Sequence, residues 1–230
     1  MKAEAQAGRI SHQLWLGFSL VLLGGCGVTS SIEQARQTGT GIAADEAVVI
    51  LGRTDHTDKE AEQSFTECVA QTIGTGRKPL RLVPATEFVD QMFPWFEPRL
   101  APTSPNDLAE LLAQPGVADR IAANQVRYLV WIDGNTQTVA RGGSMTCALS
   151  TGGGGCFGLN WWERDSSYEA SVWDVKNVET AGYISADANG TSYVAGMVLP
   201  IPLIARTGAA ACKGLGQQLK VFLAGDESTG

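Results

Sequence analysis

The sequence is short of the residues that metal and covalent chemistry need. Only two of its 230 residues are histidine, His12 and His56, and its five cysteines include no Cys-x-x-Cys pair. No zinc-type ligand set is therefore expected. No Gly-x-Ser-x-Gly occurs, and without that glycine frame no serine is raised on the strained turn of a nucleophile elbow. Asp55 and His56 thus lack the third member of a hydrolase triad, and His56 is expected as a surface residue ahead of a helix. The glycines 152–155 are followed by Cys156-Phe157-Gly158 where a phosphate loop needs Gly-Lys-Ser/Thr. Gly74-Thr75-Gly76-Arg77-Lys78 reads as a helix stop and a surface turn. Paired carboxylates such as Asp45 and Glu46 fall at element edges, where the helix dipole explains many of them. Catalytic residues, a metal and a cofactor are all expected to be absent. No internal repeat is found.

What is present begins at the N-terminus. Lys2 and Arg9 precede an apolar run over residues 14–23 that is too short to span a bilayer, and it ends in Leu23-Gly24-Gly25-Cys26. This resembles the lipobox of a bacterial lipoprotein signal peptide. The resemblance implies cleavage after residue 25 and a palmitate-bearing diacylglyceryl group on Cys26. Gly27 stands where an aspartate would argue for inner-membrane retention, so the resemblance favours the inner leaflet of the outer membrane, with the protein facing the periplasm. Without residues 1–25 the chain keeps 15 basic and 23 acidic side chains, a net charge of −8. That balance argues against nucleic acid and anionic lipid as partners.

With Cys26 lipidated, Cys68, Cys147, Cys156 and Cys212 remain, an even number in an oxidising compartment. Three connectivities exist for four cysteines, and the context selects one. Cys147 and Cys156 bracket a glycine-rich loop able to fold back on itself, whereas Cys68 and Cys212 lie on the apolar faces of two predicted helices. The expected bridges are Cys147–Cys156 and Cys68–Cys212.

Residues 26–45 read as the lipidated cysteine and a flexible tether, and residues 46–225 as one α/β domain. Residues 47–51 form a buried strand, and Thr57-Asp58-Lys59-Glu60 is a capping box for a helix burying Phe65, Cys68, Val69, Thr72 and Ile73. A strand at 80–83 and a short helix bearing Phe88, Val89 and Met92 follow. Ser104 caps the next helix with Pro105 in its first turn, and another carries Val117 and Ile121. Residues 128–132 are continuously apolar, as a strand covered on both faces should be, and Gly134-Asn135 suggests a turn into a neighbour. Strands at 168–175 and 182–186 meet at a Lys176-Asn177 turn, and a helix from Thr207 to a stop at Gly225 closes the chain.

This order, with the runs Ile121-Ala122-Ala123-Asn124-Gln125-Val126-Arg127-Tyr128-Leu129-Val130-Trp131-Ile132-Asp133-Gly134 and Ala170-Ser171-Val172-Trp173-Asp174-Val175, resembles the N-terminal domain of the periplasmic Tol protein TolB. It is similar also to the curli secretion lipoprotein CsgG and to lipoproteins that activate peptidoglycan synthases. The resemblance implies a mixed sheet of about five to six strands with helices packed on it, and it supplies no catalytic residues.

Two aromatic segments stand out as candidate partner-binding sites. Phe157, Trp161 and Trp162 follow the cysteine-bracketed loop, either on a protruding hairpin or as cover for one end of the sheet. Trp95 and Phe96 lie in Phe93-Pro94-Trp95-Phe96-Glu97-Pro98, where the prolines prevent a regular helix. Residues 197–204 are apolar without period and are expected to cross the sheet or to be buried in an oligomer. The expected function is a non-enzymatic, lipid-anchored binding or scaffold protein of the cell envelope. Its expected partner is another envelope protein or its own copy, and its expected membrane contact is the N-terminal lipid. A ring-forming accessory of secretion or export is the alternative, and an envelope hydrolase the third reading.

Overall fold

A computed structural model describes residues 27–53, 63–97, 100–196 and 199–225. The chain is an α/β protein with a mixed seven-stranded sheet. In chain order its elements are β1 (Val28–Arg36), β2 (Ala47–Gly52), α1 (Gln63–Gly74), β3 (Arg81–Leu82), α2 (Ala85–Gln91), α3 (Pro105–Leu112), α4 (Val117–Ala123), β4 (Val126–Ser150), β5 (Gly153–Asp174), β6 (Glu179–Gly196), β7 (Pro200–Leu203) and α5 (Thr207–Ala224). The strand order is β1-β6-β5-β4-β2-β3, with β7 paired to β6. Two compact units emerge: a larger one from Thr29–Gln137, Asp165–Asn189 and the C-terminal helix, and a smaller one from Thr138–Arg164 and Gly190–Ala205.

In the larger unit β2 runs parallel to both β3 and β4. All of residues 47–51 are buried, so helices must cover both faces of this strand. Ala47, Val49 and Leu51 join Phe88 of α2, Leu108 and Leu111 of α3, and Val117 and Ile121 of α4 in one cluster. Val48 and Ile50 alternate to the opposite face, where α1 and α5 pack. Phe65 of α1 stacks on Tyr168 of β5, and α5 buries Cys212, Leu215, Leu219, Phe222 and Leu223, the stripe expected from the sequence. Each such aliphatic side chain contributes about 1.5 to 3 kcal/mol on full burial. The core of this unit therefore rests on two helical layers around a shared sheet.

Local chemistry ends the elements where the sequence indicates. Ser104 Oγ accepts from the Asp107 N–H at 3.2 Å while Asp107 accepts from the Ser104 N–H at 3.0 Å, a reciprocal cap on α3. The Lys176-Asn177 turn is held by Asp174, which accepts from both backbone N–H groups at 2.9 and 3.0 Å and pairs with Arg127 at 2.8 Å.

Three readings differ from the structure. The tether expected over residues 26–45 contains β1, an edge strand too polar to show an apolar pattern; its Ile32 meets α5 at Gly214, and Gln37 donates to the Ala181 carbonyl at 2.9 Å. Farther on, Tyr128 Oη donates to the Gly41 carbonyl at 3.0 Å, so this segment is fastened to the larger unit rather than hanging free. Gly134 is not a turn: β4 passes through it, and a Cβ there would collide with the Ser167 carbonyl and the Tyr168 backbone, so the glycine serves a close approach of strands. Third, β4, β5 and β6 continue well past the ends assigned from sequence, to Ser150, Gly153 and Gly196. The Thr57–Glu60 capping box lies outside the described residues.

Candidate docking site

The described residues of the smaller unit form strands and their connections, with no helix among them. Between Ser150 and Gly153 only two residues intervene, which permits only an antiparallel hairpin of β4 and β5. Ser150 Oγ donates to the Gly153 carbonyl at 2.9 Å across this turn. Cys147 and Cys156 are bridged, with Cα atoms 4.0 Å apart. That separation is close to the roughly 4.5 Å of a non-hydrogen-bonded antiparallel pair and well short of the roughly 5.5 Å of a hydrogen-bonded one, so the Cys147 N–H and C=O point away from β5. β6 and β7 pair antiparallel, with Tyr193 opposite Leu203 and Ala195 opposite Ile201. A Cβ on Gly196 would lie 3.2 Å from Cys156 Cβ, which puts these two positions on one face of the sheet.

Strand alternation then defines the other face. Phe157, Leu159 and Trp161 of β5 share it with Tyr193 and Ala195 of β6 and Ile201 and Leu203 of β7. Gly142 makes room for Trp161, since a Cβ there would sit 3.0 Å from its Nε1. Phe157 is 76% exposed and Ile201 62% exposed. Nine of the twelve exposed large hydrophobic side chains among the described residues fall in this small unit. Among its described residues the only charged ones are Arg141, Glu163 and Arg164, and residues 190–205 carry none. A solvated sheet face ordinarily carries polar residues; this one is apolar and uncovered, which marks a surface for contact.

The structure sorts the residues singled out from sequence. Phe157 is exposed at the contact face, Trp161 is half-buried on that same face, and Trp162 is half-buried on the opposite one. Residues 199–204, expected either to cross the sheet or to be left exposed for burial in an oligomer, form the exposed edge strand β7 and its flanks beside β6. Phe96 is corrected: it is 4% exposed, stacked on Trp131 and edge-on to Phe88, so its role is packing within the larger unit. Trp95 is half-buried there, donating from Nε1 to Gln114 at 2.9 Å beneath the Arg120 guanidinium. Both expected disulfides, Cys68–Cys212 and Cys147–Cys156, are formed. Cys26, Asp55 and His56 lie outside the described residues. Leu159 and Tyr193 escaped the sequence reading; the alternation Phe157-Gly158-Leu159-Asn160-Trp161 carried the signal, masked by its glycines.

No family model and no curated protein matches this chain. Among solved structures it is similar to a PelC dodecamer from Paraburkholderia phytofirmans, at 15% identity over 86% of this chain and 100% of that one, with a TM-score of 0.37. A leucine-to-methionine variant of that dodecamer matches at 14% identity over 84% and 96% of the two chains, with a TM-score of 0.38. A likeness of this size assigns no function.

Proposed function

We propose that the protein is a non-enzymatic binding or scaffold protein of the bacterial envelope, lipid-anchored through Cys26 to the outer membrane and facing the periplasm. Its larger unit, in this reading, has the layout of the TolB N-terminal and CsgG domains, and its smaller unit is the docking element for an envelope protein or a copy of itself. The supporting observation is the apolar face formed by Phe157, Leu159, Ile201 and Leu203 in a unit almost free of charge. A ring-forming accessory of export is the second reading, favoured by the exposure of Leu199, Ile201, Leu203 and Ile204.

The test is a crosslinking pull-down of the full chain from its native envelope, beside a Phe157→Ser/Leu159→Ser/Ile201→Ser variant. Exposed side chains add little to folding, so the variant should keep its melting temperature and lose the crosslinked species, because a few apolar anchors carry most of an interface's energy. Undiminished crosslinking would reject the docking face. In the same cells Cys26→Ser should leave an unprocessed, unlipidated precursor by mass spectrometry; an identical mature N-terminus in both would reject the anchor.

A further inference from the structure

The smaller unit has two sheet edges, and they differ chemically. β7 is one edge, and two of its four residues are Pro200 and Pro202, opposite Gly196 and Val194 of β6. Proline is accommodated in a sheet where its missing N–H faces solvent. Pro200 and Pro202 therefore leave the outer edge of β7 without donors, closed to an incoming strand. The other edge is β4. Its partner β2 reaches only residues 126–132, so among the described strands nothing pairs with the outer side of residues 138–150. The non-hydrogen-bonded geometry at Cys147, kept where Gly158 meets Met145 and Gly143 meets Asn160, turns the N–H and C=O groups of residues 143, 145, 147 and 149 toward that side.

Exposed edges are usually guarded by charge, proline or a very short strand. The β4 edge spans thirteen residues, contains no proline, and carries one charge, Arg141, near one end. We propose that this edge pairs with the same edge of a second copy, antiparallel about a two-fold axis close to Ser144 and Met145. This rests on the reading of the smaller unit as the docking element, and it names the partner and the contact. Charge selects the arrangement. Antiparallel pairing carries the two Arg141 side chains to opposite ends, whereas parallel pairing would stack them side by side. The closed β7 edge also excludes a ring built by adding β4 of one copy to β7 of the next, and self-pairing of one patch ends at two chains.

An edge about 40 Å long and about 10 Å thick offers roughly 400 Å² per copy, or about 800 Å² for the pair. That lies below the standard interface of about 1,200 to 2,000 Å², so the dimer is reversible. The test is sedimentation of the full chain in nonionic detergent over a concentration series, with amide hydrogen exchange on the same samples. A monomer–dimer equilibrium is expected, with slowed exchange at residues 143, 145 and 147 as concentration rises. Met145→Pro removes one outward donor and Met145→Lys places a guard charge on the edge; each should weaken dimerisation at least tenfold with the Cys147–Cys156 bridge intact. A chain that stays monomeric at millimolar concentration overturns the proposal. So does a dimer indifferent to both Met145 variants. Loss of the dimer in the Phe157→Ser/Leu159→Ser/Ile201→Ser variant alone would assign the contact to the apolar face, sparing the docking reading while rejecting the edge. Protection that appears only with phosphatidylethanolamine vesicles would make a bilayer the occupant and reject the second copy.

Discussion

Cys68 of α1 and Cys212 of α5 are joined across the packed faces of the two helices, with Cα atoms 6.2 Å apart and a sequence separation of 144. Closing so long a loop restricts the unfolded chain, by about 5 kcal/mol in the chain-entropy account. Replacing both cysteines by alanine should therefore lower the unfolding free energy by most of that amount, read as a fall in the denaturant midpoint. A double variant that unfolds at the wild-type midpoint would remove the bridge from the stability of the larger unit.

The same helix pair makes a close approach at Gly216. A Cβ there would lie 2.7 Å from Thr72 Cβ, an atom fixed to the α1 backbone. At Gly214 the nearest atom, at 2.6 Å, is the Ile32 Cδ1, the free end of a flexible side chain. Alanine gains about 1 kcal/mol over glycine in a helix, and forced overpacking costs about 1 to 3 kcal/mol. Gly216→Ala should thus be destabilising by about 1 kcal/mol, whereas Gly214→Ala should be neutral or stabilising. Equal shifts in thermal midpoint for the two would contradict this packing.

Neighbouring aromatics in one segment should behave oppositely. Phe96 is 4% exposed among Phe88 and Trp131, and Phe93 is 62% exposed. Phe96→Ala should cost about 3 to 5 kcal/mol through the lost burial and the cavity left behind. Phe93→Ala should change stability by less than about 0.5 kcal/mol. Urea unfolding of both variants checks the contrast.

Asp107 holds its carboxyl below the ordinary carboxylate range, chiefly because the Thr103 hydroxyl donates to it, then the Thr103 N–H, with Ser104 adding further bonds. A lowered native pKa means that the ionised cap supports folding at neutral pH and loses that support as pH falls through the lowered value. The difference in melting temperature between wild type and Asp107→Ala should be largest above about pH 4 and shrink toward pH 2. A difference constant across that range would show that the carboxylate charge plays no part.

The sequence determined what depends on neighbours along the chain and on buried apolar stripes. Residues 47–51 and 128–132 are apolar without interruption because both faces are covered, and Phe65, Val69 and Ile73 recur at helical spacing because one face is. Ser104 before Pro105 and the Cys68 and Cys212 positions were legible for the same reason: cap and stripe are local patterns. The tertiary structure alone decided what depends on main-chain pairing. β1 is held at the sheet edge by backbone bonds that no side-chain period advertises. Gly134 reads as a turn, yet it sits inside a strand, as do glycines 143 and 158, where their backbones meet a neighbour too closely for a Cβ. The contact face joins residues 157–161 to 201–203, some forty positions apart, through β6, because strand neighbours are set by register rather than by distance along the chain.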